Sequence, residues 1–245
     1  MKNTLIAVGL ILVGSICILL NSFLNQSNQN RLNTEREHRA VDDIGTEISL
    51  YKFHHKYGTE RMGEVIASAE RLLNAMRNPE IHLSKEEIDL DLHKLTWLWL
   101  AATPTTEYVA LNASGDFGLI TSLSLRKKLK ELNSDQEKLL QFEAIQVRYV
   151  DQQLKPFLNR HVDRTAIDTY QKADRLITSH HSSPLENASR DLLTNREFAN
   201  ILGDLLFCTK RIMLPYKRMA VIIKEMEGII STEYPSVRVE PYDPF

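Results

Sequence analysis

Residues Thr4 to Leu24 form a run of 21 residues without a charge. As a helix rising about 1.5 Å per residue, the run spans roughly 31 Å, the thickness of a bilayer's hydrocarbon core. Leu, Ile, Val and Phe fill 13 of its positions. Each favours insertion by about 0.3–0.6 kcal/mol near the bilayer centre, offset in part by Asn21 and the Ser and Gly residues. A cleaved signal peptide has a shorter apolar stretch and a small-x-small site after it; Asn21 to Asn25 offers no such site. A lipoprotein signal needs a small residue before its cysteine, and Ile16 precedes Cys17. No other segment is apolar for so long, which sets this run apart from a buried core helix. The expectation is a short tail at 1–3, a transmembrane helix at 4–24 and the lipid bilayer as a partner through those residues. Gly9 and Gly14 are five apart and do not make a small-xxx-small dimer motif.

The remaining chain has the composition of a packed body: of 245 residues, 43% are hydrophobic and 25% charged, which excludes wholesale disorder. Two cysteines exclude a disulfide framework and a Cys-rich zinc module. A net charge of −2 argues against nucleic acid as a partner. Lys2 precedes the apolar run, whereas Arg31, Arg36 and Arg39 follow it. Taken literally, that asymmetry favours the large part inside, but long domains translocate largely regardless of charge. A short inside tail with the body outside, a common signal-anchor arrangement, is the expected one.

Beyond the polar Asn25–Asn30 stretch, apolar residues recur at three and four. The spacing predicts one helix from about Thr34 to Arg77, bent near Gly58 and ended by Asn78-Pro79. Ser84-Lys85-Glu86-Glu87 is a capping box opening a helix to about Ala102, apolar nearly all round at Leu95–Leu100 and so expected to be central. Thr103-Pro104 starts a short helix that Gly115 caps. Ser122 caps a helix to about Arg160, kinked or shortened by Pro156. A helix over about Ala166–Ser179 and a His180–Pro184 loop follow. The last helix runs from near Asn195 to Tyr234-Pro235, with a kink near Pro215. The fold class is all-α: an N-terminal transmembrane helix followed by a bundle of long antiparallel helices, with the bundle at 25–234 and an extended tail at 235–245.

The corner from Thr106 to Ile120, with Tyr108, Leu111, Ser114-Gly115 and Leu119-Ile120, leads into Leu125-Arg126-Lys127-Lys128-Leu129; Asn195-Arg196-Glu197-Phe198 opens the last helix. In these features and in their order the chain resembles a bacterial family of single-pass membrane proteins classed only as a domain of unknown function. The resemblance implies an N-terminal anchor and a helical domain outside the cytoplasmic membrane, and it implies no activity. The chain departs from that pattern in lacking the basic head that many members carry before the anchor.

Candidate chemistry is sparse. Glu35-x-x-His38 has the spacing of half a di-iron carboxylate site, but no second Glu-x-x-His exists, and a solvated charged face is the expected role. Asp89 and His93 lie one turn apart with no third ligand, as in an ordinary surface pair. His54-His55 and His180-His181 are adjacent pairs, poor chelators on a helix. Cys208 is expected to be a buried, inert thiol. Arg126, Lys127, Lys128 and Lys130 make a basic face followed by Glu131, Asp135 and Glu137, again expected to be solvated. The Pro241–Phe245 tail could dock on a partner or fray. No catalytic, cofactor-binding or metal-binding residues, and no cofactor, are assigned. The expected function is binding or assembly in the envelope, with a homo-oligomer or another envelope protein as partner. A sensory or small-ligand-binding bundle acting through a partner protein is the alternative. A metal-dependent enzyme using Glu35 and His38 is the third.

Overall fold

The structure, a computed structural model, describes residues 2–98, 105–164 and 189–239, with the backbone alone for 2–18. It is all-helical. The first element, α1 (Lys2–Arg77), is a single helix of 76 residues, about 114 Å long at the ordinary rise. The helix expected to begin near Thr34 therefore begins at the start of the described chain, and it passes Gly58 without interruption. The Asn/Gln-rich stretch between is helical because nothing in it breaks a helix: it holds neither Gly nor Pro. From residue 19 to residue 36 every position is exposed, and packing starts at Glu37.

Three long helices carry the core: α1, α4 (Leu123–Tyr149) and α6 (Arg196–Glu233). Their core positions alternate steps of three and four, the spacing that keeps one seam turned toward its neighbours. On α4 these are Leu125, Leu129, Leu132, Gln136, Leu139, Glu143 and Gln146, continued by Val150 just past its end; on α6, Phe198, Leu202, Leu205, Thr209, Ile212, Tyr216, Met219, Ile223, Met226 and Ile230. Cross-helix pairs set the directions. Lys52 meets Glu227 and Glu70 meets Lys210, so α6 runs antiparallel to α1. Lys128 meets Glu225 and Tyr149 meets Asp204, so α6 runs antiparallel to α4 as well.

The shorter elements close the ends. α2 (Lys85–Leu95) begins at the expected capping box: the Glu87 amide donates to Ser84 Oγ at 3.1 Å, and the Ser84 amide donates to Glu87 Oε2 at 2.7 Å. It stops at Leu95, short of the expected Ala102, because Thr96 and Trp97 turn their amides back three residues to His93 and Lys94. Trp97 and Leu98 are half-buried beside it; residues 99–104 lie outside the described residues. α3 (Thr106–Ser114) ends on Gly115 at φ 79°, the left-handed cap that a Cβ would strain. A 3₁₀ turn (Asp116–Leu119) then leads to Ser122, whose hydroxyl accepts from the Leu125 amide.

Pro156 does not end its helix. A proline ring would collide with the carbonyl of residue 152 in a regular helix. Here a π turn (Val150–Leu154) widens the coil, with the Lys155 amide donating to the Val150 carbonyl five residues back. The chain then continues as α5 (Lys155–His161). The expected 166–179 helix and the His180–Pro184 loop lie outside the described residues. A 3₁₀ turn (Ser189–Thr194) precedes α6, whose Asn195 cap accepts from Phe198. α6 runs through Pro215 as one helix of 38 residues. The tail is not free at its start: Val237 is buried, and Val239 packs on the core, passing Gly45 where a Cβ would already lie 3.5 Å from Val239. Residues 240–245 lie outside the described residues.

The apolar interior divides in two. One cluster gathers Ile44, Ile48, Leu129, Leu132, Met219 and Met226 at the α1-stalk end. The other gathers Leu72, Leu92, Leu154, Phe157, Phe198 and Leu202 at the far end. Among the described residues no helix is long and apolar enough to cross a membrane. The span expected at 4–24 finds no support there; the side chains of 4–18 lie outside the described residues.

Candidate functional site

Among the described residues, polar side chains interrupt the apolar interior both within the stalk-end cluster (Tyr51, Gln136, Tyr216) and between the two clusters (Glu143, Gln146, Thr209). Tyr51 and His55 on α1, Gln136, Glu143 and Gln146 on α4, and Thr209 and Tyr216 on α6 occupy core heptad positions. Tyr51, Gln136, Glu143, Gln146, Thr209 and Tyr216 are 3% exposed or less. Gln146 donates to Thr209 at 2.9 Å, and Thr209 donates to the Leu205 carbonyl. The two amide atoms of Gln136 and the Tyr51 hydroxyl have no hydrogen-bond partner among the described residues, each a cost of about 1–3 kcal/mol that a purely structural core would avoid.

A cavity of about 380 Å³ opens on this belt between α1 and α6, with Tyr51, Lys52 and His55 on one wall and Ile223, Lys224 and Glu227 on the other. The His55 ring lies between Tyr51 and Tyr216, with centroids 5.6 and 5.4 Å away. Its Nε2 lies 3.1 Å from the Tyr216 carbonyl, which as the acceptor places the proton on that nitrogen. Burial pushes the His55 pKa down and outweighs that bond, so the ring is neutral at pH 7. Burial, aided by Glu143, holds the Tyr51 hydroxyl protonated far above neutral pH. At the cavity wall the belt therefore offers a neutral imidazole and a protonated hydroxyl, with the Glu143 carboxylate behind them.

At the stalk end, Glu37 joins three segments. The Thr121 amide, the Thr121 hydroxyl and the Tyr234 hydroxyl all donate to Glu37 Oε1, at 2.6, 2.7 and 2.5 Å. Burial pushes its carboxyl up, but the hydrogen bonds from Tyr234 and Thr121 outweigh that and hold it below the ordinary 4.5. The native state thus binds fewer protons than the unfolded chain. Its contribution is full above pH 4.5 and is lost as pH falls through the folded value. Glu37→Gln is expected to lower stability by about 1.5–3 kcal/mol at pH 7 and to flatten the acid limb of a stability-against-pH curve measured by urea unfolding. An unchanged acid limb would show that Glu37 does not carry it.

Glu47 makes a comparable link. Thr105 gives α3 no side-chain cap; instead the Glu107 amide donates to Glu47 Oε1 at 2.9 Å. A carboxylate on α1 thus satisfies an orphan donor of α3.

The sequence-predicted candidates scatter. Glu35 pairs with Arg31 at 3.8 Å in solvent, whereas His38 stands edge-on to Tyr234 and 3.4 Å from the Ser236 hydroxyl. Asp89 and His93, expected at the surface, are 3% and 1% exposed, because α2 turns that side onto α1. His93 accepts from the Trp97 indole at 3.1 Å, and Arg61 lies 4.2 Å over that indole. His54 packs edge-on against Phe53; His180-His181 lies outside the described residues. Cys208 is half-buried, and burial pushes its thiol up. Lys128 bridges Glu131 and Glu225, and Lys130 lies over Phe117, so that face is tied to neighbours rather than simply solvated. Among the described residues no group of three or more His, Cys, Asp or Glu could hold a metal. Glu37 and the polar belt were missed by sequence reasoning. The signal for both was a polar residue at a heptad core position, which only a register count along each helix picks out.

The chain matches no family model, no curated protein and no solved structure.

Proposed function

We infer that the chain is a single-pass, membrane-tethered helical bundle that acts by binding another envelope protein and not by catalysis. The observation that carries this reading is the continuity of α1. One helix links the uncharged Thr4–Leu24 run, an exposed stalk from 19 to 36 and the bundle. Leu19, Leu20, Phe23 and Leu24 on that stalk are 56–69% exposed, and water is a poor home for four large apolar side chains on successive turns. A lipid phase that begins at the amino end would take them up. An unbroken helix would then hold the bundle at a fixed height above the membrane, as a positioning element needs. The resemblance to bacterial anchored helical proteins supports placing the bundle outside the cytoplasmic membrane.

Membrane fractionation tests the tether. The full chain is expected to stay with membranes after alkaline carbonate washing, and a variant lacking residues 4–24 to leave them. Recovery of the full-length chain in the aqueous fraction without detergent would end the reading. Reporters fused after Phe245 decide the side of the membrane, and crosslinking in intact membranes decides binding: a strictly monomeric, partner-free species counts against it.

A second reading, a small-ligand-binding bundle acting through a partner, is favoured by the cavity beside His55 and the unpartnered Tyr51 hydroxyl at its wall. Thermal stabilisation of the full chain by a polar metabolite, lost in Tyr51→Phe, would support it.

A further inference from the structure

We propose that the outward face of α6 is the partner-binding surface, and that it takes a helix with an apolar residue at every seventh position flanked by carboxylates. This deepens the binding role inferred above and rests on it.

Phe207, Leu214 and Val221 recur at intervals of seven and are 61%, 63% and 59% exposed. They lie on the side of α6 opposite its core seam, so none of them serves the bundle. Gly228 continues the line one heptad on, and Gly203 stands one turn before Phe207; a Cβ at either would meet nothing within 4 Å. A helix interior that keeps Gly gives up about 1 kcal/mol relative to Ala, and here no neighbour in the chain needs the space. An approaching backbone does. The pattern is that of a second coiled-coil seam with no partner in this chain.

Charge identifies the occupant. Seven exposed charged positions border the three apolar residues: the cations Lys210, Arg211, Lys217, Arg218 and Lys224, and the acids Asp204 and Glu225, of which Glu225 answers Lys128 of α4. Lys210 and Arg218 answer Glu70 and Asp135 across the bundle, and Arg211 lies over the Phe207 and Phe142 rings. Lys217 and Lys224 have no ion pair among the described residues. A second copy offering this same face would set one cationic surplus, five cations to two acids, against another, with Lys217 and Lys224 unanswered, which disfavours self-pairing. A bilayer surface is disfavoured by direction: α6 runs antiparallel to the tethering helix, so its stripe stands along the membrane normal of the proposed anchor. An amphipathic helix with acidic flanks satisfies both the apolar line and the lysines.

The test uses the full chain in neutral detergent and a fluorescent 28-residue peptide with Leu every seventh residue, Glu three and four residues after each Leu, and Ala elsewhere. Saturable binding by anisotropy is expected, at least tenfold weaker in Leu214→Asp and in the Lys217→Glu, Lys224→Glu double variant. It should also weaken at least tenfold from 50 to 300 mM salt, as screening of surface charge requires. The same residues in scrambled order should bind at least tenfold less tightly. Equal binding of the scrambled peptide, indifference to Leu214→Asp, or no saturable binding would overturn the proposal. So would a dimer of the chain alone that Leu214→Asp dissolves, which would give the face to a second copy, or equal capture by anionic nanodiscs, which would give it to lipid. All three substitutions sit on exposed positions, and unchanged circular dichroism keeps loss of binding separate from loss of fold. Because carbonate extraction is independent of this face, failure here with a retained tether would refute the surface and not the anchor.

Discussion

Replacing Arg71 by Met is expected to cost about 3–5 kcal/mol of stability, the range for stranding a buried charge. The Asp91 carboxylate, with a side chain 1% exposed, sits between α2 and α1. Arg71 donates to it from Nε and Nη2, each at 2.8 Å, and Ser68 Oγ donates at 2.8 Å. Methionine keeps most of the apolar stem of arginine and removes only the paired charge. The carboxylate is then left with one hydroxyl donor in a site water does not reach. The opposite deletion is milder. Arg71 is 46% exposed, so in Asp91→Leu its guanidinium turns to water and the buried charge disappears with its partner. Arg71→Lys falls between, since an ammonium cannot make the two parallel bonds of the guanidinium fork. For a domain of this size each kcal/mol shifts Tm by about 2–4 °C, so thermal unfolding of the full chain in detergent should show Arg71→Met about 10 °C lower. Equal costs for Arg71→Met and Asp91→Leu would refute the asymmetry.

Signals written within four residues of each other were legible in the sequence. The Ser84 capping box, the Ser122 and Asn195 caps and the left-handed Gly115 all follow from short-range chemistry, and each stands where it was expected. The all-α class followed from steps of three and four that no strand could use. What was not legible depends on partners far along the chain. Glu37 sits in the charged run Glu35–Arg39, where every local sign points to solvent; its partners lie 84 and 197 residues away. Asp89 and His93 look like a surface pair until α2 is laid on α1. The end of α2 escaped because Leu95–Leu100 is apolar enough to extend a helix, and only the amides of Thr96 and Trp97 turning back to His93 and Lys94 show where it unwinds. Pro156 was expected to kink the helix or end it one turn early, because a regular helix cannot hold it; the π turn is a third answer that propensity alone does not suggest. The second stripe of α6 was in plain view, one apolar residue in seven, but the stronger core stripe of the same helix masks it.

Phe198→Ala is expected to cost about 3–5 kcal/mol and, more tellingly, to cost it unevenly. Phe198 is fully buried at the first turn of α6. Its ring stacks on Phe157 with centroids 5.6 Å apart and planes 4° from parallel, and Phe157 stacks in turn on His161 at 4.1 Å. Truncation opens a hole in the middle of the far apolar cluster, among rigid helices that cannot close it. The polar positions Glu143, Gln146 and Thr209 separate that cluster from the one at the stalk end. Contacts across a polar boundary couple the halves less tightly than a continuous apolar core would. Local opening follows such boundaries. Hydrogen exchange on Phe198→Ala should therefore show lost protection in α2, α5 and the first turns of α6, with protection retained around Ile44, Leu132 and Met219. Uniform loss across both clusters would show that the belt does not divide the bundle. Leu214 and Val221 lie on the outer face of the retained half, beside Ile212, Met219 and Ile222 of the stalk-end cluster, whereas Phe207 lies beside Leu205 of the far one. The same variant should thus keep most of its affinity for the acidic peptide while its far end frays, since two of the three stripe residues and both unpaired lysines are carried by the half of the bundle nearest the tether.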